Sequence, residues 1–532
     1  MTVKELLALV SSKNPPQIRT DSRLVKDGDI FVAVKGTVYD GHDFIDQALA
    51  NGAKYVVCQQ DRRQSTGCLT AKTEDRRQTT GGSLKQVSKD WDALGDGLLQ
   101  TSSIEIIVVD DSAEAAGLLA QASRGNPASR LTNLAVTGTN GKTTVAYLVR
   151  SCIRKAGEKC GLIGTVIYDT CSGSGCEATM TTPDCLAIAE MTDEMARNGA
   201  KYMVIEASSH ALSQNRLAGV SFKAAAFTNL AGDHLDYHKT KEDYLTAKAE
   251  LFQALSPDAV AVLNKQSPEA ELIAKQTQAK ILWYAIAPTA CRCKPAAGAD
   301  ITAQIESMDI SGTVFIMEYA GQTQKVNTLL PGLYNVSNSL AAAGLCLAAG
   351  FDLQTIAAGL SALQTIPGRL EKIDGGDSCV IVDYAHTDDA LKNVLSTLKP
   401  LCKGKLRVVF GCGGDRDRTK RPRMARVAEQ LADFIIVTSD NPRTERPTDI
   451  IDEIVAGFEK PDSQTIVVEP DRKKAIELAI EAAGRDDIVL IAGKGHETYQ
   501  IIGEQKFDFS DKEVAQQCLG LSFCNKSQNG GP

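Results

Sequence analysis

The stretch L-A-V-T-G-T-N-G-K-T-T, Leu134–Thr144, decides the fold. A short apolar strand runs into a glycine turn, and a lysine and two threonines open a helix. Val145, Leu148, Val149, Cys152, Ile153 and Ala156 recur at three- and four-residue spacing, and Gly157 is placed to cap the helix's C-terminus. Such a turn aims backbone N–H groups and a helix N-terminus at an anion. Lys142 adds a point charge for the terminal phosphates, and the Thr143 hydroxyl suits Mg2+. The pattern points to a bound nucleoside triphosphate, with Gly138, Thr139, Asn140, Gly141, Lys142, Thr143 and Thr144 as its phosphate contacts. The loop is tighter than the general phosphate loop, which carries a glycine five residues before the Gly–Lys pair; Val136 stands there.

Working outward, 532 residues suggest about three or four domains. Composition is that of a globular protein, 43% apolar and 23% charged. The net charge of -8 gives no support for a nucleic-acid or membrane-surface role, so an anionic substrate must be held by local Arg, Lys and metal. No apolar run reaches the roughly 18 residues of a membrane span, and the N-terminus opens an amphipathic helix rather than a secretory segment. The 15 cysteines are scattered, with Cys171/Cys176 and Cys291/Cys293 the only close pairs in apparent loops. Zinc wants about four clustered ligands, so reduced thiols of a cytoplasmic protein are expected.

Three units follow. Residues 1–128 carry strand-like runs at Gly28–Lys35, Tyr55–Cys58 and Ile104–Val109, interrupted by Asp61–Ser103, which reads as a long exposed insertion. Residues 129–366 hold the phosphate loop. They alternate helices with buried-strand runs at Tyr202–Ala207, Ala224–Asn229 and Ala259–Asn264, and add an Ala-rich helix at Leu340–Ala349. Residues 367–532 place strands at Cys379–Asp383, Leu406–Gly411, Phe434–Thr438, Thr465–Val468 and Ile488–Ala492. Helices at Asp388–Leu398, Pro422–Leu431 and Asp471–Ala483 lie between them. This is an α/β chain with mostly parallel sheets, its third unit Rossmann-like. Gly411-Cys412-Gly413-Gly414 lacks the full glycine fingerprint of a nicotinamide site.

In open α/β sheets, ligands collect at the carboxyl ends of strands. Two such ends join the phosphate loop: E-A-S-S-H (Glu206–His210) and N-L-A-G-D-H-L-D-Y-H (Asn229–His238). A carboxylate and an imidazole beside a triphosphate point to Mg2+, with Glu206 first and His234 next. Of six histidines, His210, His234, His238 and His386 all follow strand ends.

Further motifs are Y-L-T-A-K (Tyr244–Lys248), Y-N-V-S-N (Tyr334–Asn338), P-G-R-L-E (Pro367–Glu371) and D-Y-A-H-T (Asp383–Thr387). In this order they make the chain similar to the Mur ligases, the cytoplasmic family that builds the peptide stem of bacterial peptidoglycan. The resemblance covers all but the insertion and the tail. It implies a uridine-binding domain, a central ATPase domain and a C-terminal amino-acid-binding domain. It also implies ATP-driven amide synthesis through an acyl phosphate on the D-Glu side chain of UDP-N-acetylmuramoyl-L-Ala-D-Glu. G-C-G-G-D-R-D (Gly411–Asp417), D-N-P-R (Asp440–Arg443) and G-K-G-H-E (Gly493–Glu497) resemble the members that add meso-diaminopimelate.

The chemistry of the side chains agrees. Arg443 can grip the distal carboxylate bidentately with help from Arg416, while Asn441, between Asp440 and Pro442, gives a directional hydrogen bond. Glu497 and the Gly493 carbonyl suit the distal ammonium. A lysine substrate would offer only an ammonium, which an arginine repels.

By the same resemblance, Lys142, Glu206, His234 and Lys248 form the catalytic group. Thr143, Glu206, His234 and Lys248 form the metal set, with Lys248, on a helix over Glu242–Leu255, carbamylated into a carboxylate-like ligand. Arg369 and Asp383 are ribose-phosphate contacts, and Asn335 is an adenine contact or a helix N-cap. Thr20, Ser22 and the Gly36–Tyr39 turn resemble uridine-site residues. Thr181, Thr182, Ser208, Gln214 and Arg216 resemble those holding the sugar, pyrophosphate and peptide arm. A monomer is expected. The chain departs from the family pattern at Asp388, where proline is usual, at Met180 before the threonine pair, and in its insertion. Rival readings are an L-lysine-adding member, a phosphate-loop kinase or regulatory ATPase, and an inactive binding protein.

Overall fold

The computed structural model describes residues 1–59, 85–87, 104–232, 235–287, 298–373, 375 and 378–521. Three sheets succeed one another along the chain, and each separates two apolar clusters. Strands covered on both faces read as unbroken apolar runs, as in Ala224–Phe227 (AAAF) and Ile488–Ala492 (IVLIA), both fully buried.

The first sheet has Ile18–Arg19, Ile30–Val32, Tyr55–Gln59 and Glu105–Val109 in parallel order. The expected strand over Gly28–Lys35 is shorter, because the chain leaves the sheet after Val32 to reach the turn in which Gly36 N–H donates to the Tyr39 carbonyl. Lys85–Val87, inside the expected insertion, pairs antiparallel with Glu105–Val109; the rest of that insertion lies outside the described residues, as do Cys291/Cys293 and the tail.

The central sheet has 11 strands. Its phosphate-loop strand, Thr132–Thr137, lies between Tyr202–Glu206 and Ala224–Phe227, parallel to both. Cys160–Ile163 pairs parallel with the outer side of Tyr202–Glu206. The loops that leave these four strands therefore emerge on one edge. The sheet also runs into an antiparallel meander, Ile301–Asp309, Gly312–Tyr319 and Gln322–Thr328, which sequence reading did not resolve. The phosphate-loop helix, Lys142–Lys155, buries Val145, Leu148, Val149, Cys152 and Ile153 completely. It packs on Leu353–Ala362 at Gly359, where an added Cβ would strike the Cys152 backbone. Ala156 falls just past the helix and is exposed, and Gly157 takes the left-handed position (φ 83°). The helix begun at Leu340 in the sequence reading starts earlier, at Leu333, with Gly332 as its N-cap. Asn335 sits inside that helix, which corrects its reading as a cap.

The third sheet runs Glu371–Ile373, Cys379–Asp383, Ile488–Ala492, Leu406–Phe410, Phe434–Val437 and Ile466–Val468, parallel except at its first strand. Loops 384–387, 493–497, 411–417 and 438–443 share its carboxyl edge.

Candidate active site

The phosphate loop is built around two left-handed glycines, Gly138 (φ 144°) and Gly141 (φ 93°). A side chain on either would also collide, with Thr228 Oγ1 and Asn338 Oδ1 respectively, so both conformation and space demand glycine. The adjacent strand end braces the loop. Asn140 N–H donates to Asn229 Oδ1 (3.0 Å), and the Thr228 hydroxyl donates to the Asn140 carbonyl (2.6 Å). Lys142 Nζ donates to the Gly138 and Thr139 carbonyls (2.9 and 2.8 Å), which places the ammonium at the loop's mouth.

Glu206 is completely buried. Its oxygens accept from the Thr143 hydroxyl (3.0 Å), the Thr165 N–H (2.9 Å) and the Thr165 hydroxyl (2.9 Å). Among the described residues no Lys or Arg forms an ion pair with it. Lys248 is 1% exposed, on the helix Lys241–Gln253. Its Nζ donates to the Gly138 carbonyl (3.0 Å) and lies 4.3 Å from the centre of the Tyr244 ring. The Tyr244 hydroxyl in turn lies 3.2 Å from Thr139 Oγ1. Lys142, Thr143, Glu206 and Lys248 thus converge on one loop. His234 lies outside the described residues.

A cavity of about 880 Å3 opens over this loop, between the second and third units. Ile286, Ile305 and Leu330 give it an apolar wall, and Asn335, Arg369 and Asp383 line it as well. Asn335 Nδ2–H donates to the Pro331 carbonyl (2.8 Å), and its Oδ1 accepts from Asn338 (3.3 Å). Arg369 Nη2 donates to Thr143 Oγ1 (3.2 Å), and its guanidinium lies 4.6 Å from the centre of the Tyr384 ring. Asp383 accepts the Leu370 and Ala385 N–H groups (2.7 and 2.8 Å), and burial pushes its carboxyl up against the pull of Arg369. Asn140 Nδ2–H reaches across to Asp389 (2.8 Å), whose carboxyl is raised by burial and by Asp388. The position that departs from the family pattern therefore neighbours a direct bond between units.

The Gly493–Glu497 loop runs from beside this cavity to the residues expected to take the amino acid. Its His496 ring lies 5.1 Å from that of Tyr384, and burial, reinforced by Arg369, pushes the imidazole down to about 4 against a bond to the Thr165 backbone. Beyond it, Asn441 Nδ2–H donates to Glu497 Oε2 (2.9 Å), and Lys494 Nζ donates to Glu497 Oε2 and Asn441 Oδ1 (both 3.0 Å). Burial alone would raise the Asp440 carboxyl, but the Lys494 ammonium and the Arg472 guanidinium hold it below the usual range. Gly493 backs directly onto Asp440. Pro442 is buried, and Arg443 follows in a left-handed conformation (φ 51°), its Nη1–H donating to the Gly414 carbonyl (2.8 Å). Arg416, exposed, joins Arg443 beside Gly413.

On the other flank, the Thr182 hydroxyl donates to the Glu206 carbonyl (2.7 Å) and sits 3.1 Å from Ser208 Oγ. Arg216 donates to the Thr182 carbonyl (2.8 Å) and to Gln214 Oε1 (2.8 Å). Thr181 Oγ1 lies 3.1 Å from Thr165 Oγ1. Asn215 bonds Asp111 of the first unit (2.6 Å), so this cluster sits where the two units meet. Ser22 is buried and donates to Gln47 (2.7 Å), Thr20 is half-buried, and Val38 and Tyr39 of the Gly36–Tyr39 turn are exposed. None of these first-unit residues lines the cavity.

Sequence reading missed Thr165 and Lys494. Thr165 follows the fourth parallel strand end of the central sheet, a signal that could have found it. Lys494 lies inside a motif that was noticed, but its burial is a tertiary fact.

Three family models match in succession: "Mur ligase family, catalytic domain" over residues 17–124, "Mur ligase middle domain" over 136–346 and "Mur ligase, glutamate ligase domain" over 368–495. The chain is 40% identical over 509 residues to UDP-N-acetylmuramoyl-L-alanyl-D-glutamate–2,6-diaminopimelate ligase of Geobacillus thermodenitrificans, covering 94% of each. It is 40% identical over 531 residues to the protein of that name from Gloeobacter violaceus, covering 98% of each. A solved structure titled as the same ligase superposes with a TM-score of 0.63 at 31% identity, covering 98% of this chain and 99% of that one. With the phosphate loop, the buried Glu206 and the three matched domains in place, the chain belongs to the Mur ligase family.

Proposed function

We propose that the chain is an ATP-dependent ligase that joins meso-diaminopimelate to the D-Glu side-chain carboxylate of UDP-N-acetylmuramoyl-L-Ala-D-Glu, in the cytoplasm, during peptidoglycan precursor synthesis. One observation carries the reading. A loop built for phosphates and a pocket offering two arginines beside a carboxylate are joined by a single loop, Gly493–Glu497. The names of relatives near 40% identity support the same substrates.

The carboxylate of D-Glu attacks the γ-phosphate, ADP leaves, and an acyl phosphate forms. The amine of the diamino acid then attacks the acyl carbon and phosphate departs. Two anions meet in the first step, so positive charge must be concentrated there. Lys142 turns from the loop carbonyls to the phosphates, and Arg369 approaches from the third unit. Thr182, Ser208, Gln214 and Arg216 hold the arm that carries the D-Glu. Asn335 and the apolar wall take the base.

Glu206 and Thr143 present hard oxygen ligands in a buried place where, among the described residues, no basic side chain forms an ion pair with the carboxylate, which fits Mg2+. Thr143, Glu206 and the expected ligands His234 and Lys248 would hold the cation, with phosphate oxygens supplying the rest; among the described residues no three His, Cys, Asp or Glu side chains cluster. When bound, the cation neutralises phosphate charge. Lys248, buried beside the loop, fits this set as a carbamate. Mass spectrometry should find its peptide heavier by one CO2, and an unmodified amine in active enzyme would reject that role.

Purified protein given ATP, Mg2+, the UDP-linked dipeptide and either diamino acid tests the reading. A tripeptide product with meso-diaminopimelate and little with L-lysine is expected; the reverse preference would favour the lysine-adding alternative.

A further inference from the structure

We propose that Lys494 is a positioning and specificity residue for the incoming amino acid: its ammonium locks Asn441 and Glu497 into one unit and favours a head group carrying both carboxylate and ammonium over a lone ammonium. This rests on the reading above.

Lys494 is completely buried. A buried ammonium is costly unless its hydrogens find acceptors. Its Nζ finds Asn441 Oδ1 and Glu497 Oε2, each at 3.0 Å. The ring closes because Asn441 Nδ2–H donates to the same Glu497 oxygen (2.9 Å). Asn441 Oδ1 also accepts the Ile501 N–H (3.0 Å), which fixes the orientation of the amide. Three segments are thereby cross-linked: Asp440–Arg443, Gly493–Glu497 and the hairpin strand Tyr499–Ile502.

The ring uses Glu497 Oε2 twice and leaves Oε1 to a ligand. Glu497 is also already balanced by an ammonium of its own chain. A substrate offering only a second ammonium gains little from a carboxylate so compensated, and it meets Arg443 and Arg416 nearby. A substrate offering carboxylate and ammonium together can satisfy the arginines and Oε1 at once. Selectivity then belongs to the Lys494–Glu497 balance as well as to the arginines. Removing Lys494 frees the Glu497 charge and lets its side chain and Asn441 drift.

The test compares the full-length wild type, Lys494→Met and Lys494→Gln, which removes the charge but keeps a hydrogen-bond donor for Glu497. ADP release and product are followed while ATP, meso-diaminopimelate and L-lysine are each varied. Lys494→Met should raise KM for meso-diaminopimelate about 30-fold, as for a lost charged hydrogen-bond network. KM for ATP and kcat should stay within about threefold, and the kcat/KM ratio of meso-diaminopimelate to L-lysine should fall about tenfold. An unchanged KM, or a uniform fall in every parameter with the ratio intact, would overturn the inference. If Lys494→Met does not fold, Lys494→Gln decides: a lowered ratio supports the inference, and a wild-type ratio overturns it. Wild type that never incorporates meso-diaminopimelate would overturn the parent reading itself.

Discussion

Two carboxylates at strand ends, the buried Glu206 and the half-buried Glu497, differ in the partners the chain gives them. Glu206 receives only hydroxyl and amide donors, and no basic side chain pairs with it among the described residues. Glu497 receives an amide and a fully buried ammonium. In the function proposed above, the first is an unfinished charge for a cation to complete, and the second is a finished charge set to read the shape of what arrives. The difference the two teach is one of partners: hydroxyls and amides around Glu206, an ammonium beside Glu497.

The comparison breaks most decisively at Glu206. Glu206→Gln keeps the shape and removes the charge; kcat in ADP release should fall about 10²–10³-fold, with a raised Mg2+ requirement. At the other end, Arg443→Ala should raise KM for meso-diaminopimelate about 100-fold by losing a bidentate charged contact, while KM for ATP stays put. Loss of ATP affinity instead would mean the two regions are not separable.

Between them stands His496, facing Arg369, Lys494 and the Thr165 backbone, with its imidazole pushed down to about 4. The folded protein holds it neutral while the unfolded chain protonates near its ordinary value of 6.5. Its contribution is therefore present above 6.5 and is lost as pH falls from there towards 4. His496→Gln should flatten that part of the stability profile by up to about 3 kcal/mol, read as the difference in denaturant midpoints. The smallest effect belongs to Arg416→Ala. This exposed side chain should cost only a few-fold in KM for meso-diaminopimelate.

The Glu206 end was far more legible in sequence than the Glu497 end. Gly138, Gly141, Lys142 and Thr143 are local chemistry on a strand–turn–helix, and Glu206 announces itself by closing an apolar strand. Thr165 was overlooked although it follows a parallel strand end, because only the neighbouring strands bring that end to Glu206. Lys494 and His496 were written in a recognised motif, yet nothing local distinguishes a buried lysine from a solvated one. The meander of residues 301–328 does alternate in burial along Thr313, Phe315 and Met317. That two-residue period was overshadowed by the parallel pattern around it. Asn335 reads as a cap only if the helix starts beside it; Gly332 starts it earlier, which moves the amide into the cavity wall.

The most direct measurement is the dependence of ADP release on the two other substrates. If the Glu206 cradle and the Asn441 pocket serve one ligation, ADP appears in step with tripeptide, one for one, and only when both the UDP-linked dipeptide and meso-diaminopimelate are present. Steady ADP release that ignores either of them, with no amide product, would contradict it and return the chain to the phosphate-loop ATPases.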